Sequence, residues 1–137
     1  MYKSISTSVF ATMMLLLFAF SSYGQKSQKQ HIKPVASNIQ VIQFHSEHRC
    51  MTCNLIEKLT RETLKQNYPN VPFLLVNVDD SNNEKMAEEF EATGTALFIY
   101  NTSIKKKKDL TDFAFMNAKS NPEAYKKGVK KEIDALK

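Results

Sequence analysis

Ile39-Gln40-Val41-Ile42-Gln43-Phe44-His45-Ser46-Glu47-His48-Arg49-Cys50-Met51-Thr52-Cys53 is the stretch on which the reading of this chain turns. Its first part reads as a strand from about Ala36 to Phe44, with apolar residues dense enough for burial on both faces. Cys50 and Cys53 are the chain's only cysteines. Behind them, Asn54 to Asn67 reads as an amphipathic helix. Leu55, Ile56, Leu59, Thr63 and Leu64 recur at helical spacing, and Glu57 stands four residues before Arg61. A Cys-x-x-Cys pair where a strand turns into a helix is a redox signature. The first helical turn carries unpaired N–H groups and the positive end of the dipole, so a thiolate there is stabilised. A second cysteine three residues on shares that face and can close a disulfide.

The 137 residues suit one domain, and the first 24 are expected to lie outside it. Lys3, an apolar run from Val9 to Phe20 and the small residues Ser21, Ser22 and Gly24 read as a secretory signal peptide over residues 1–24. The run falls short of the roughly 20 apolar residues of a membrane span. A polar stretch over 25–34, containing His31, reads as a flexible lead-in, and 35–137 as the folded domain. Cleavage would leave 137 − 24 = 113 residues and lower the net charge from +5 to +4. That surface is mildly basic, and no aromatics interleave with the lysines as a nucleic-acid face requires, so no nucleic acid is expected.

Export would place the chain in the periplasm or outside the cell, where disulfides persist. A ring closed over so few residues contributes only about 2 kcal/mol by loop entropy, so a purely structural role is disfavoured.

Val71 to Val78 reads as a strand whose continuous apolar run suggests the sheet centre. A helix over Glu84 to Ala92, facing inward with Met86, Ala87 and Phe90, is expected to break at Thr93-Gly94. Thr95 to Tyr100 reads as a third strand. Ile104 to Leu110 reads as an edge strand whose lysines discourage further pairing. A short helix over Thr111 to Ala118 and a last one from Asn121-Pro122 to Leu136 complete the chain. The last helix is expected to bury Ala124, Tyr125, Val129, Ile133 and Leu136, with Gly128 weakening it slightly. With three glycines in all there is no phosphate-binding loop, and no serine sits in a nucleophile elbow.

This order resembles the thioredoxin-fold family. The resemblance rests on the buried strand running into Cys50-Met51-Thr52-Cys53, the β-α-β unit that follows, and Thr93-Gly94-Thr95-Ala96 before an apolar strand. It covers about Val35 to Leu136. It implies an α/β, thioredoxin-like fold: a central mixed sheet of about four strands flanked by helices. The family's cis-proline position matches Ala96, where a trans Thr95–Ala96 bond is expected because a cis non-proline bond costs about 3 kcal/mol. The family's Trp-Cys-Gly-Pro-Cys is here Arg49-Cys50-Met51-Thr52-Cys53, and its buried acid is matched by Gln43.

The resemblance implies an exported thiol–disulfide oxidoreductase, with no cofactor. Cys50 is the expected nucleophile, aided by Arg49 and His48. Cys53 resolves the mixed disulfide, and Thr95 and Ala96 hold the partner chain by backbone hydrogen bonds. Partners would be exported proteins bearing thiols or disulfides. The chain itself is expected to be a monomer without stable membrane insertion after cleavage. Two other readings stand beside this one. His45, His48, Cys50 and Cys53 supply two imidazoles and two thiols that suit Zn²⁺ or Cu(I) binding or delivery. Alternatively the scaffold is a non-enzymatic binding module, with Asp109 to Phe115 as a recognition surface.

Overall fold

A computed structural model describes residues 37–137. The expected signal peptide, 1–24, and lead-in, 25–34, lie outside the described residues. Four strands and four helices follow in order: β1 (Ile39–His45), α1 (Met51–Asn67), β2 (Phe73–Asn77), α2 (Glu84–Glu89), β3 (Ala96–Asn101), β4 (Lys106–Asp109), α3 (Thr111–Ala118) and α4 (Pro122–Leu136). A single 3-10 turn, Ser81–Asn83, leads into α2. The sheet is mixed, in the order β2-β1-β3-β4. β1 runs parallel to β2 and antiparallel to β3, and β4 is antiparallel to β3. Among the described residues no helix is long and apolar enough to cross a membrane.

β1 is the buried centre. Ile39 and Val41 face a core shared with α1, α3 and α4. Ile42 and Phe44 face a second core under α2. The alternation is the two-residue period of a strand covered on both sides. α2 has only six residues, too few to hold helical structure alone. Its anchor is an aromatic cluster in which the Phe90 ring lies 5.2 to 5.4 Å from those of Phe44, Phe98 and Tyr100. Such pairs contribute about 0.5–1.5 kcal/mol each beyond their burial.

Several expectations are corrected. β2 is not the sheet centre but an edge strand, paired only with β1, and only Val76 in it is fully buried. Its other apolar residues are half-buried or, at Leu75, exposed, and an apolar run says nothing about lateral partners. α1 begins at Met51, three residues earlier than Asn54, because Cys50 itself caps it. α2 ends before Thr93-Gly94. Glu91 takes a left-handed φ of 54°, the Ala92 N–H donates to the Ala87 carbonyl and the Glu91 N–H to that of Glu88. This is a Schellman closure with glutamate in glycine's usual place. Ala124 is only half-buried.

Gly128 is more than a weak point in α4. A Cβ there would lie 2.1 Å from Phe113 Cζ, so the ring lies directly on the helix backbone. Phe113 in turn stacks on Tyr125 at 6.2 Å. Asn101 closes the other end of the domain. Its Oδ1 accepts from the N–H groups of Ser103 and Ile104, and its Nδ2 donates to the Leu136 carbonyl at 2.7 Å. The β3–β4 turn is thereby tied to the end of α4.

Gly128→Ala should lower stability by roughly 1–2 kcal/mol, as overpacking against the ring outweighs the gain in helix propensity. In a Phe113→Ala background the same change should turn stabilising. Denaturant titration of the four proteins reads the coupling, and additive effects would show that the ring contact carries no energy.

Tyr125 offers a second test. It is fully buried, accepts a hydrogen bond from the Thr60 hydroxyl at 2.7 Å and donates to the Ile56 carbonyl at 3.3 Å. Burial pushes its phenol up from 10.0 to about 12, with the Thr60 bond opposing. Above pH 10 the unfolded chain sheds this proton while the folded chain keeps it. The contribution, roughly 2–3 kcal/mol, is present below pH 10 and lost as pH rises to about 12. Tyr125→Phe should flatten that alkaline loss in chemical denaturation curves.

Candidate redox site at the β1–α1 junction

β1 ends at His45, and a five-residue loop carries the chain to the first turn of α1. The loop is pinned from two sides. The Val78 N–H donates to the His45 carbonyl at 2.8 Å, and the Glu47 N–H donates to Asp79 Oδ2 at 2.7 Å. Asp79 therefore joins the loop after β2 to the loop before the cysteines. Asp80 is the cap, accepting from the Asn82 N–H at 2.9 Å.

Cys50 is the N-cap of α1, and its Sγ accepts from the Cys53 N–H at 3.1 Å. Sulfur here stands where serine or aspartate usually satisfies the first free amides. No acidic residue occupies the first turn of α1. The positive end of the helix is thus uncompensated by carboxylates on that turn, which favours a thiolate at Cys50. Cys50 and Cys53 form a disulfide with Cα atoms 5.1 Å apart. The two sulfurs are not equivalent. Cys50 is exposed, whereas Cys53 is 4% exposed, inside the core. Met51, beside Cys50, is 81% exposed and gives the surface an apolar thioether.

Beneath Cys53 lies Gln43. It is fully buried, and its Nε2 donates to the Cys53 carbonyl at 3.0 Å. Its Oε1 has no hydrogen-bond partner among the described residues. From the other side the Thr95 hydroxyl donates to Cys53 Sγ at 3.3 Å. Ala96 already lies within β3, opposite Phe44, while Thr95 stands just outside the strand. No peptide bond among the described residues is cis, so Thr95–Ala96 is trans. An open groove of about 510 Å³ is lined by the 90–96 segment, Thr95 and Ala96 included, together with Phe98, Lys107, Asp109 and Asp112.

Arg49 and Arg61 both pair with Glu57. Arg49 Nη2 lies 2.6 Å from Glu57 Oε2, and Arg61 Nε lies 2.7 Å from Glu57 Oε1. Burial pushes the Glu57 carboxyl up. The hydrogen bonds from Arg61 and Arg49, with their charges, outweigh that and hold it below its usual value. His48 is exposed. His45 Nδ1 donates to the Ser46 carbonyl at 2.9 Å. With the thiols joined, no three His, Cys, Asp or Glu side chains gather as a cation site among the described residues. In the proposed recognition surface, Phe113 packs into the core and Asp109 accepts from the Thr111 N–H at 2.8 Å, while Phe115 remains exposed.

Glu57 shares the charge of Arg49, so Arg49→Ala should change the alkylation rate of Cys50 in the reduced protein by less than about threefold. A fall of about tenfold, read with iodoacetamide, would mean that the guanidinium acts on the sulfur directly.

No protein-family model matches the chain, and no curated protein sequence does. Solved structures do. The chain is similar to the X-ray structure of Fasciola hepatica thioredoxin, with 19% identity and a TM-score of 0.51 over 76% of this chain and 85% of that one. A solved structure described as a malarial protein aligns at 18% identity with a TM-score of 0.41, over 57% of this chain and 92% of that one. The mixed four-stranded sheet, its helices and the Cys50–Cys53 pair at the β1–α1 junction make the described residues a thioredoxin-fold domain.

Proposed function

We propose that the chain is an exported thiol–disulfide oxidoreductase that exchanges disulfides with partner proteins through Cys50 and Cys53. One observation carries the reading: an exposed sulfur on the helix N-terminus is joined to a buried sulfur one turn along it. A partner can reach only the first of these. In the reducing direction the Cys50 thiolate attacks a partner disulfide, and a mixed disulfide forms as the partner's other sulfur leaves with the electron pair. Cys53 then attacks Cys50 Sγ, closing the internal disulfide and releasing the partner's second thiol. In the oxidising direction the steps reverse. No cofactor is required, since the electrons pass through the sulfurs themselves.

The signal-peptide pattern over 1–24 supports an exported site of action, periplasmic or secreted. The partners are then exported proteins with thiols or disulfides, met by a monomer. The groove beside Thr95 supports docking of a partner's extended segment next to its cysteine.

Insulin reduction with dithiothreitol as electron source tests the activity. The wild-type chain should accelerate it, and Cys50→Ser should abolish the acceleration. Cys53→Ser should accumulate mixed disulfides with partners, visible on non-reducing gels. A wild-type chain that leaves insulin unreduced, with a disulfide inert to glutathione, would overturn the reading. The reduction potential sets the direction: about −270 mV marks a reductase, and about −120 to −180 mV an oxidant or isomerase.

A further inference from the structure

We propose that the Thr95 hydroxyl is the catalytic donor to the Cys53 sulfur, stabilising it as a thiolate whenever the internal disulfide opens or closes. The inference deepens the exchange reading and rests on it.

When an incoming thiolate attacks Cys50 Sγ, the Cys50–Cys53 bond breaks and its electron pair goes to Cys53 Sγ. The negative charge develops on a sulfur that is 4% exposed. A buried charge is costly unless hydrogen bonds meet it. Gln43, the fully buried polar side chain on β1 beneath Cys53, is an amide and neither takes nor gives a proton. It donates to the Cys53 carbonyl and not to the sulfur, so it positions the helical turn. Among the described residues one side-chain donor reaches Cys53 Sγ, the Thr95 hydroxyl at 3.3 Å.

That contact has the character catalysis needs. A disulfide sulfur is a weak acceptor and a thiolate sulfur a strong one. The bond therefore strengthens as the S–S bond stretches, and only interactions stronger in the transition state accelerate a reaction. In the closing direction the buried Cys53 rests as a thiol, its proton must leave before it attacks the mixed disulfide, and the same donor lowers the cost of that ionisation. The atoms balance without any further group. A dithiol such as dithiothreitol gives two electrons and closes to its ring disulfide, and Cys50 and Cys53 become two thiols.

The test is stopped-flow reduction of the purified wild-type disulfide by dithiothreitol, compared with Thr95→Val and Thr95→Ser. Valine keeps the branched shape and removes the hydroxyl, whereas serine keeps the hydroxyl and removes the methyl. Thr95→Val should slow reduction about tenfold or more, the effect of one hydrogen bond to a charged group. Thr95→Ser should stay within about threefold of wild type. Equal rates for all three proteins would overturn the proposal, as would equal slowing in both variants, which would assign Thr95 a packing role. A wild-type disulfide that dithiothreitol does not reduce would instead remove the exchange reading itself.

Discussion

The whole domain depends on one strand being covered from both sides. β1 carries apolar residues on both faces, so it is stable only with a helical layer above and another below. α1, α3 and α4 supply one layer and α2 with its aromatic cluster the other. Once β1 is central, its C-terminal end must emerge between those layers. The loop that leaves it delivers the cysteines to the first turn of α1. The Cys50–Cys53 pair thus sits where a buried strand, a helix N-terminus and the start of β3 converge.

That convergence divides the two sulfurs between environments. Cys50 caps the helix and faces outward, and Cys53, one turn along, is folded into the core beside Gln43 and Thr95. The Cys50 sulfur meets solvent while that of Cys53 is shielded by the core. The polar groups around Cys53 are uncharged. Arg49 and Arg61 are both paired to Glu57 on α1. The hydrogen-bond donors that reach the two sulfurs are the Cys53 N–H and the Thr95 hydroxyl, both neutral.

The basic surplus of the chain serves the surface. Lys106, Lys107 and Lys108 all lie exposed on β4, the outermost strand on that side. There they discourage a second chain from adding to the sheet edge. Lys107 also lies over the Phe90 ring, 4.9 Å from its centroid, and closes the rim of the aromatic cluster under α2.

Much of this was legible in the sequence. Apolar runs, spacing and cap chemistry located the strands and helices, the Asn121-Pro122 start of α4 and the Glu57–Arg61 pair, because these are short-range consequences of neighbouring side chains. The Cys-x-x-Cys at a strand–helix junction likewise marked the candidate site, since three-residue spacing at a helix start brings the two sulfurs within one turn. What the sequence left open depends on contacts distant along the chain. The edge position of β2, the ring of Phe113 on Gly128 and the hold of Asp79 on Glu47 join segments that local pattern does not connect. So does the hydroxyl of Thr95 on Cys53, 42 residues away. Spacing determines which residues share a face. Only the packed sheet decides which faces meet.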